Sequence, residues 1–280
     1  MSYIKPAELV ARMIDAGESK IFMSTRDTLI RAFMAGATLT LGAAFAITAS
    51  VQTGEPLIGA LLFPAGFCIL YLLGFDLLTG VMTLTPLALI ERRPGVTLAS
   101  MLRCWGLVFV GNFAGALLVA LLMAIVFTYG FTTAPNAVGT AIGHIGEGRT
   151  LGYAAHGGAG MLTLFIRGVM CNWMVSTGVV AAMMSDSVQG KVLGMWMPVM
   201  LFFYMGFEHS VVNMFLFPSG ILLGAHFSFA DYLVWNEIPT ILGNLVGGFA
   251  FVGLALYATH ARTGAKRRPG TEASRLAPAE

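Results

Sequence analysis

Charge is scarce in this chain. Asp, Glu, Lys and Arg together make up only 11% of 280 residues, against 57% hydrophobic residues, and a water-soluble globule of this length carries far more charge on its surface. Cysteine is sparse as well. Cys68, Cys104 and Cys171 fall in different apolar stretches without metal-ligand spacing, which argues against a disulfide framework or a metal site and leaves them as small packing residues. No basic patch interleaved with aromatics is present, so a nucleic-acid partner is not expected. The N-terminus lacks the apolar core of a signal peptide, because Lys5, Glu8, Arg12, Asp15, Glu18 and Lys20 interrupt it.

What the chain has in abundance is long apolar runs, and with a mean hydropathy of +0.79 it reads as an all-α membrane protein in contact with a lipid bilayer. The runs extend over about Leu29 to Val51, Leu57 to Ile90, Met101 to Phe127, Gly158 to Met184, Val192 to Phe227 and Ile238 to His260. Six crossings are expected. Lys5, Arg12, Lys20, Arg26 and Arg31 precede the first run, Arg92, Arg93 and Arg103 flank the turn after the second, Lys191 follows the fourth, and Arg262, Lys266, Arg267 and Arg268 follow the sixth. By the positive-inside rule both termini then lie in the cytoplasm, as in a multi-pass protein of the inner (cytoplasmic) membrane. With Arg275 in the C-terminal tail, Arg149 and Arg167 alone fall outside that set. Residues 1–28 read as a cytoplasmic segment with an amphipathic helix, whose one face holds Leu9, Val10, Met13 and Ile14. Residues 29–260 form the transmembrane domain, and 261–280, polar and with Pro269 and Pro278, read as a disordered cytoplasmic tail.

Two runs are too long for one crossing. Leu57 to Ile90 would span about 51 Å as a single helix, against a hydrocarbon core of about 30 Å. Gly74-Phe75-Asp76 and Gly206-Phe207-Glu208 supply glycines and an acid where each must break. The two breaks are related by one offset, since 206 − 74 and 208 − 76 both equal 132, as does 218 − 86 for two prolines. Gly111-Asn112 matches Gly243-Asn244, and Gly36 matches Gly168, at the same spacing. Each half therefore holds three crossings, and an odd number turns the second half upside down. The expected fold is a 3+3 inverted repeat with broken second and fifth helices and a site near mid-membrane, where half-helix N-termini favour a small anion. Thr79 and His209 are expected to face one void there.

The second break also carries the most unusual chemistry in the chain. Glu208, His209 and Asn213 stand in a run otherwise fit only for the membrane interior, and ionisable groups at that depth usually line a pathway or are paired within protein. Three function classes compete. An ion pathway uses the titratable histidine; an aquaporin-like channel for small neutral solutes does not need it; a haem-binding subunit needs a second deep histidine, whereas His144, His156, His226 and His260 look peripheral. No enzyme activity and no cofactor are expected.

Gly-Phe-Glu-His-Ser-x-x-Asn-Met at 206–214, Leu77-Leu78-Thr79, Gly111-Asn112, Arg167-Gly168 with Cys171-Asn172-Trp173, and Gly243-Asn244 resemble the formate/nitrite transporter family, from about Lys5 to Tyr257. The resemblance implies a six-helix, aquaporin-like protomer with its own pore, assembled as a homopentamer that passes small monovalent weak-acid anions such as formate or nitrite. It puts the family's central histidine on His209 and its partner threonine on Thr79, between apolar constrictions formed by Phe63, Phe67, Leu77, Leu78 and Phe202. His209 would protonate the anion in transit, Glu208 would orient the imidazole, and Asn172, Asn213 and Asn244 would offer amides to the substrate or brace the helices. His156 stands where similar sequences carry a lysine at the outer mouth, and Leu78 stands where many carry phenylalanine. A lone Arg167 in the membrane is expected to be buried between protomers.

Overall fold

The computed structural model describes residues 3–262, and apart from a bridge between Tyr3 and Ser185 its regular structure is helical. The tail expected to be disordered lies, beyond its first two residues, outside the described part. Among the described residues, four helices are long and apolar enough to cross a membrane: α2 (Thr25–Thr53), α6 (Leu98–Phe127), α9 (Gly157–Met183) and a C-terminal helix, Phe229–Ala261. The starts of all but α9 carry the chemistry that orphaned N–H groups demand. The Ser24 hydroxyl accepts the Asp27 N–H at 3.0 Å, and Thr97 with Ser100, and Ser228 with Asp231, form reciprocal capping boxes.

Both over-long runs are interrupted. The first becomes α3 (Pro56–Leu62), α4 (Pro64–Leu72) and α5 (Leu78–Ile90); the second becomes α10 (Val188–Tyr204) and α11 (Ser210–Leu222). The two interruptions are built alike. Gly74 and Gly206 adopt φ of 71° and 65°, left-handed values that only glycine reaches without strain. In each case the next N–H reaches back to close the helix end, Phe75 to the Leu70 carbonyl and Phe207 to the Phe202 carbonyl, both at 3.0 Å.

Small residues set how closely the helices pack. A Cβ on Gly36 of α2 would stand 2.2 Å from the Asn112 carbonyl oxygen of α6, and one on Gly243 would stand 2.5 Å from the Phe165 carbonyl oxygen of α9, so both contacts are backbone against backbone. The amphipathic N-terminal helix forms as α1 (Pro6–Phe22), with Leu9, Val10, Met13 and Ile14 buried against Leu84, Leu87, Val252 and Tyr257. Ion pairs from Arg12 to Asp186 and from Arg93 to Asp15 hold it to neighbouring turns. The stretch from Phe131 to Gly157, which joins the third and fourth apolar runs, contains two more helices, α7 (Ala137–Gly148) and the single turn α8 (Leu151–Ala154).

Candidate functional site

A break in a helix leaves backbone groups that no water can satisfy deep in the molecule. Asparagines from neighbouring helices supply the partners. Asn112 Oδ1 accepts the Leu78 N–H at 2.9 Å, while its Nδ2 donates to the carbonyls of Ala32 (2.7 Å) and Asp76 (2.9 Å). Asn244 repeats the arrangement at the other break: Oδ1 accepts the Ser210 N–H at 3.0 Å, and Nδ2 donates to Gly168 and Glu208, both at 2.8 Å. Asn172 joins the two, donating to the carbonyls of Asn244 (2.7 Å) and Thr79 (3.3 Å). Asn172 and Asn244 are thus occupied in bracing, Asn213 donates to Glu208 and Asn236 while its Oδ1 has no partner, and none of the three lines either cavity described next.

Two apolar cavities approach each other at the breaks. The first, about 290 Å³, opens beside α1 and is lined by Lys20, Phe67, Leu77 and Thr79 among others. The second, about 270 Å³, opens beside α7 and is lined by Arg149, Phe202, Phe207 and His209 among others. Their linings follow the sequence offset: Leu70 and Phe202, Tyr71 and Phe203, Phe75 and Phe207, Leu77 and His209 occupy corresponding places, each 132 residues apart. The long helices exchange roles. Val179 and Met183 of the second half line the first cavity, whereas Ile47 and Val51 of the first half line the second.

Thr79 and His209, expected on one void, therefore line different cavities. The reason is their place in the repeat: Leu77, not Thr79, corresponds to His209. Both residues nevertheless present an unsatisfied polar atom, for Thr79 Oγ1 and His209 Nε2 are buried without a hydrogen-bond partner. His209 precedes α11 in extended backbone, and its Nδ1 accepts the N–H groups of Val211 (3.2 Å) and Val212 (3.4 Å). With Nδ1 an acceptor, the proton of the neutral ring sits on Nε2. Among the expected constriction residues, Phe67 and Leu77 line the first cavity and Phe202 the second, while Phe63 and Leu78 line neither. Phe63 meets Phe202 edge-on at 5.4 Å, and Phe202 stacks on the His209 ring at 5.6 Å.

Glu208 does not orient the imidazole. Its carboxylate, fully buried, accepts from Tyr153 Oη (2.8 Å), Asn213 Nδ2 (3.0 Å), Asn236 Nδ2 (3.2 Å) and Arg149 Nη1 (3.4 Å). Adjacent residues in extended backbone project to opposite sides, so Glu208 and His209 cannot both face one point. Tyr153 and Asn236 escaped the sequence reading because nothing in their local pattern marks them, and Arg149 stood out only as a charge outside the topology pattern; Asn236 is turned inward by a wide helical turn at Leu233–Glu237. His156 is displaced as well. It lines a separate recess with Tyr153, Thr163 and Arg167, where Arg167 Nη1 donates to Tyr153 Oη at 2.8 Å. The charged residue on the His209 cavity is Arg149.

Comparison with known proteins identifies the family and the fold. The formate/nitrite transporter profile matches residues 7–258. A probable formate transporter of Methanothermobacter thermautotrophicus is 32% identical, covering 92% of this chain and 98% of its own length. The formate channel BtFdhC of Bacillus thuringiensis is 31% identical over 93% of this chain and 97% of its own. Among solved structures, an FNT family ion channel superimposes with a TM-score of 0.78 at 22% identity over 90% of this chain and 98% of that one. A pentameric formate channel with formate bound gives 0.69 at 24% over 85% and 98%. These likenesses in fold, and the family match along nearly the whole chain, place this protein in the formate/nitrite transporter family.

Proposed function

We propose that this protein is a membrane channel or transporter for small monovalent weak-acid anions, formate, nitrite or a similar ion, built as a homopentamer with one pore in each protomer. Six crossings arranged as a 3+3 inverted repeat account for the exchange of long helices between the two cavities. The α1 side faces the cytoplasm of a cell bounded by this inner membrane, because α1 and the turns carrying Arg92, Arg93 and Lys191 cluster there.

The observation that carries the reading is His209 Nε2, a buried hydrogen-bond donor without a partner on the lining of the second, largely apolar cavity. A bare anion pays heavily to leave water for an apolar slit. The Nε2–H, reinforced by the N-terminus of α11, offers it one charge-assisted hydrogen bond at that point. The sequence expectation that His209 itself hands over a proton is narrowed by the Nδ1 bonds. A neutral ring that gave up its Nε2 proton would become an imidazolate, and loading a second proton on Nδ1 beforehand would displace the Val211 and Val212 N–H groups. The proton that neutralises a weak acid is therefore drawn from water in the vestibule, and His209 holds the ion or its acid in passage.

The test is formate and nitrite flux into proteoliposomes at several pH values. His209→Phe keeps the ring packing but removes the donor, and flux should fall roughly tenfold or more, the effect of one hydrogen bond to a charged group. His209→Asn keeps a helix-capping oxygen and an N–H, and should retain a larger share of flux than His209→Phe. Water flux without anion flux in the parent protein would overturn the assignment in favour of a neutral-solute channel.

A further inference from the structure

We infer that Arg149 is the anion-receiving cation of the His209 cavity, a role that sequence position assigns to residue 156. The inference rests on the transport reading above and specifies how an anion is gathered on one face. Among the described residues Arg149 is the one charged residue lining that cavity, whose other walls are mainly aromatic and aliphatic. A single positive charge beside low-dielectric walls focuses its field into the opening and raises the local concentration of anions.

Two features keep that charge available. Its contact with Glu208, at 3.4 Å, is the longest of the four that the carboxylate accepts, and the other three come from neutral groups at 2.8 to 3.2 Å. Glu208 is thus held mainly without Arg149, whose guanidinium has five N–H donors in a planar fork suited to formate or nitrite oxygens. The backbone also fixes its position. The Arg149 N–H closes the end of α7 on the Ile145 carbonyl at 3.0 Å, and its own carbonyl accepts Asn236 Nδ2 at 3.0 Å. His156 cannot substitute, since it opens into the Arg167 recess. The opposite cavity has a counterpart. Among the described residues Lys20 is the one charged residue lining it and pairs with Asp76, which stands 132 residues before Glu208. Each mouth thus holds one cation beside the acid of the adjacent break.

The experiment measures initial formate and nitrite flux in proteoliposomes against substrate concentration and ionic strength, for the parent, Arg149→Gln, Arg149→Lys, His156→Ala and Arg149→Gln/Glu208→Gln. Arg149→Gln should raise the half-saturating concentration about tenfold and flatten the decline of flux with added salt, as loss of a focusing charge does. Maximal flux should change far less. Arg149→Lys should restore the salt dependence, and His156→Ala should match the parent. The double variant separates loss of the cation from exposure of the carboxylate: half-saturation still raised supports the cation, whereas return to the parent value overturns the inference. Unchanged half-saturation and salt dependence in Arg149→Gln, or their loss in His156→Ala, also overturns it. If Arg149→Gln fails to assemble, Arg149→Lys with parental assembly but no salt dependence likewise counts against it. Absence of anion flux in the parent would instead remove the transport reading itself.

Discussion

Glu208 and Thr79 show how differently two buried polar residues can serve one site. Glu208 is surrounded by donors, and replacing one carboxylate oxygen by an amide NH2 would turn a donor toward donors. Glu208→Gln is therefore expected to destabilise the protein by about 2 kcal/mol, the scale of hydrogen bonds to a charged group, seen as a lower thermal midpoint in detergent. Thr79 has no such partner for its hydroxyl. Thr79→Val keeps the shape and discards an unsatisfied group, so stability should hold or rise slightly while anion flux falls several-fold. A large loss of stability in Thr79→Val would show that its hydroxyl is structural.

Helices and their junctions set the next scale. At Gly36 the neighbour a side chain would meet is the α6 backbone, which cannot rotate away, so Gly36→Ala should cost roughly 1–3 kcal/mol by overpacking and lower the thermal midpoint. The turn after α11 is docked differently. Glu147 of α7 accepts the His226 N–H at 2.9 Å, and that bond, aided by His144, holds its carboxyl below the ordinary value. A depressed folded pKa gives stability that is present above the unfolded value, about 4.3, and is lost as pH falls through the folded one. Protection of the His226 amide from hydrogen exchange, taken relative to the intrinsic rate at each pH, should fall as the Glu147 carboxylate is protonated, and Glu147→Ala should show the low protection at neutral pH as well. Protection unaffected by either change would show that this bond does not dock the turn.

For the whole molecule, assembly is the open consequence of a protomer whose helices carry many exposed large apolar residues, among them Leu117, Leu121, Val126, Leu162 and Phe251. Part of that surface meets lipid, and part is expected to meet neighbouring protomers in a closed ring. Native mass spectrometry of the detergent-released protein should give five copies. A monomer with full flux would overturn the pentamer. Arg167, already drawn over the Tyr153 ring at 5.7 Å, should be shielded in the ring from guanidine-modifying reagents and reactive only after dissociation.

Apolar length, glycine, proline and the 132-residue spacing were legible along the chain because each acts locally: a run longer than one crossing must break, and it breaks where glycine reaches positive φ. The two interruptions could be read in that way, and the family could be read from residues 206–214 and the matching motifs. Side-chain direction could not. Whether Glu208 meets His209 or turns to Tyr153, whether Asn244 faces a pore or braces a break, and whether Arg149 or His156 reaches the His209 cavity depend on extended backbone outside regular helices and on elements far away in sequence. A helix in the connection between the third and fourth apolar runs, α7, decides the last of these, because only after it folds does Arg149 stand at the cavity. Local patterns determine which segments are helices; the tertiary structure alone determines which polar atoms remain unpaired, because their partners come from elements far away in sequence.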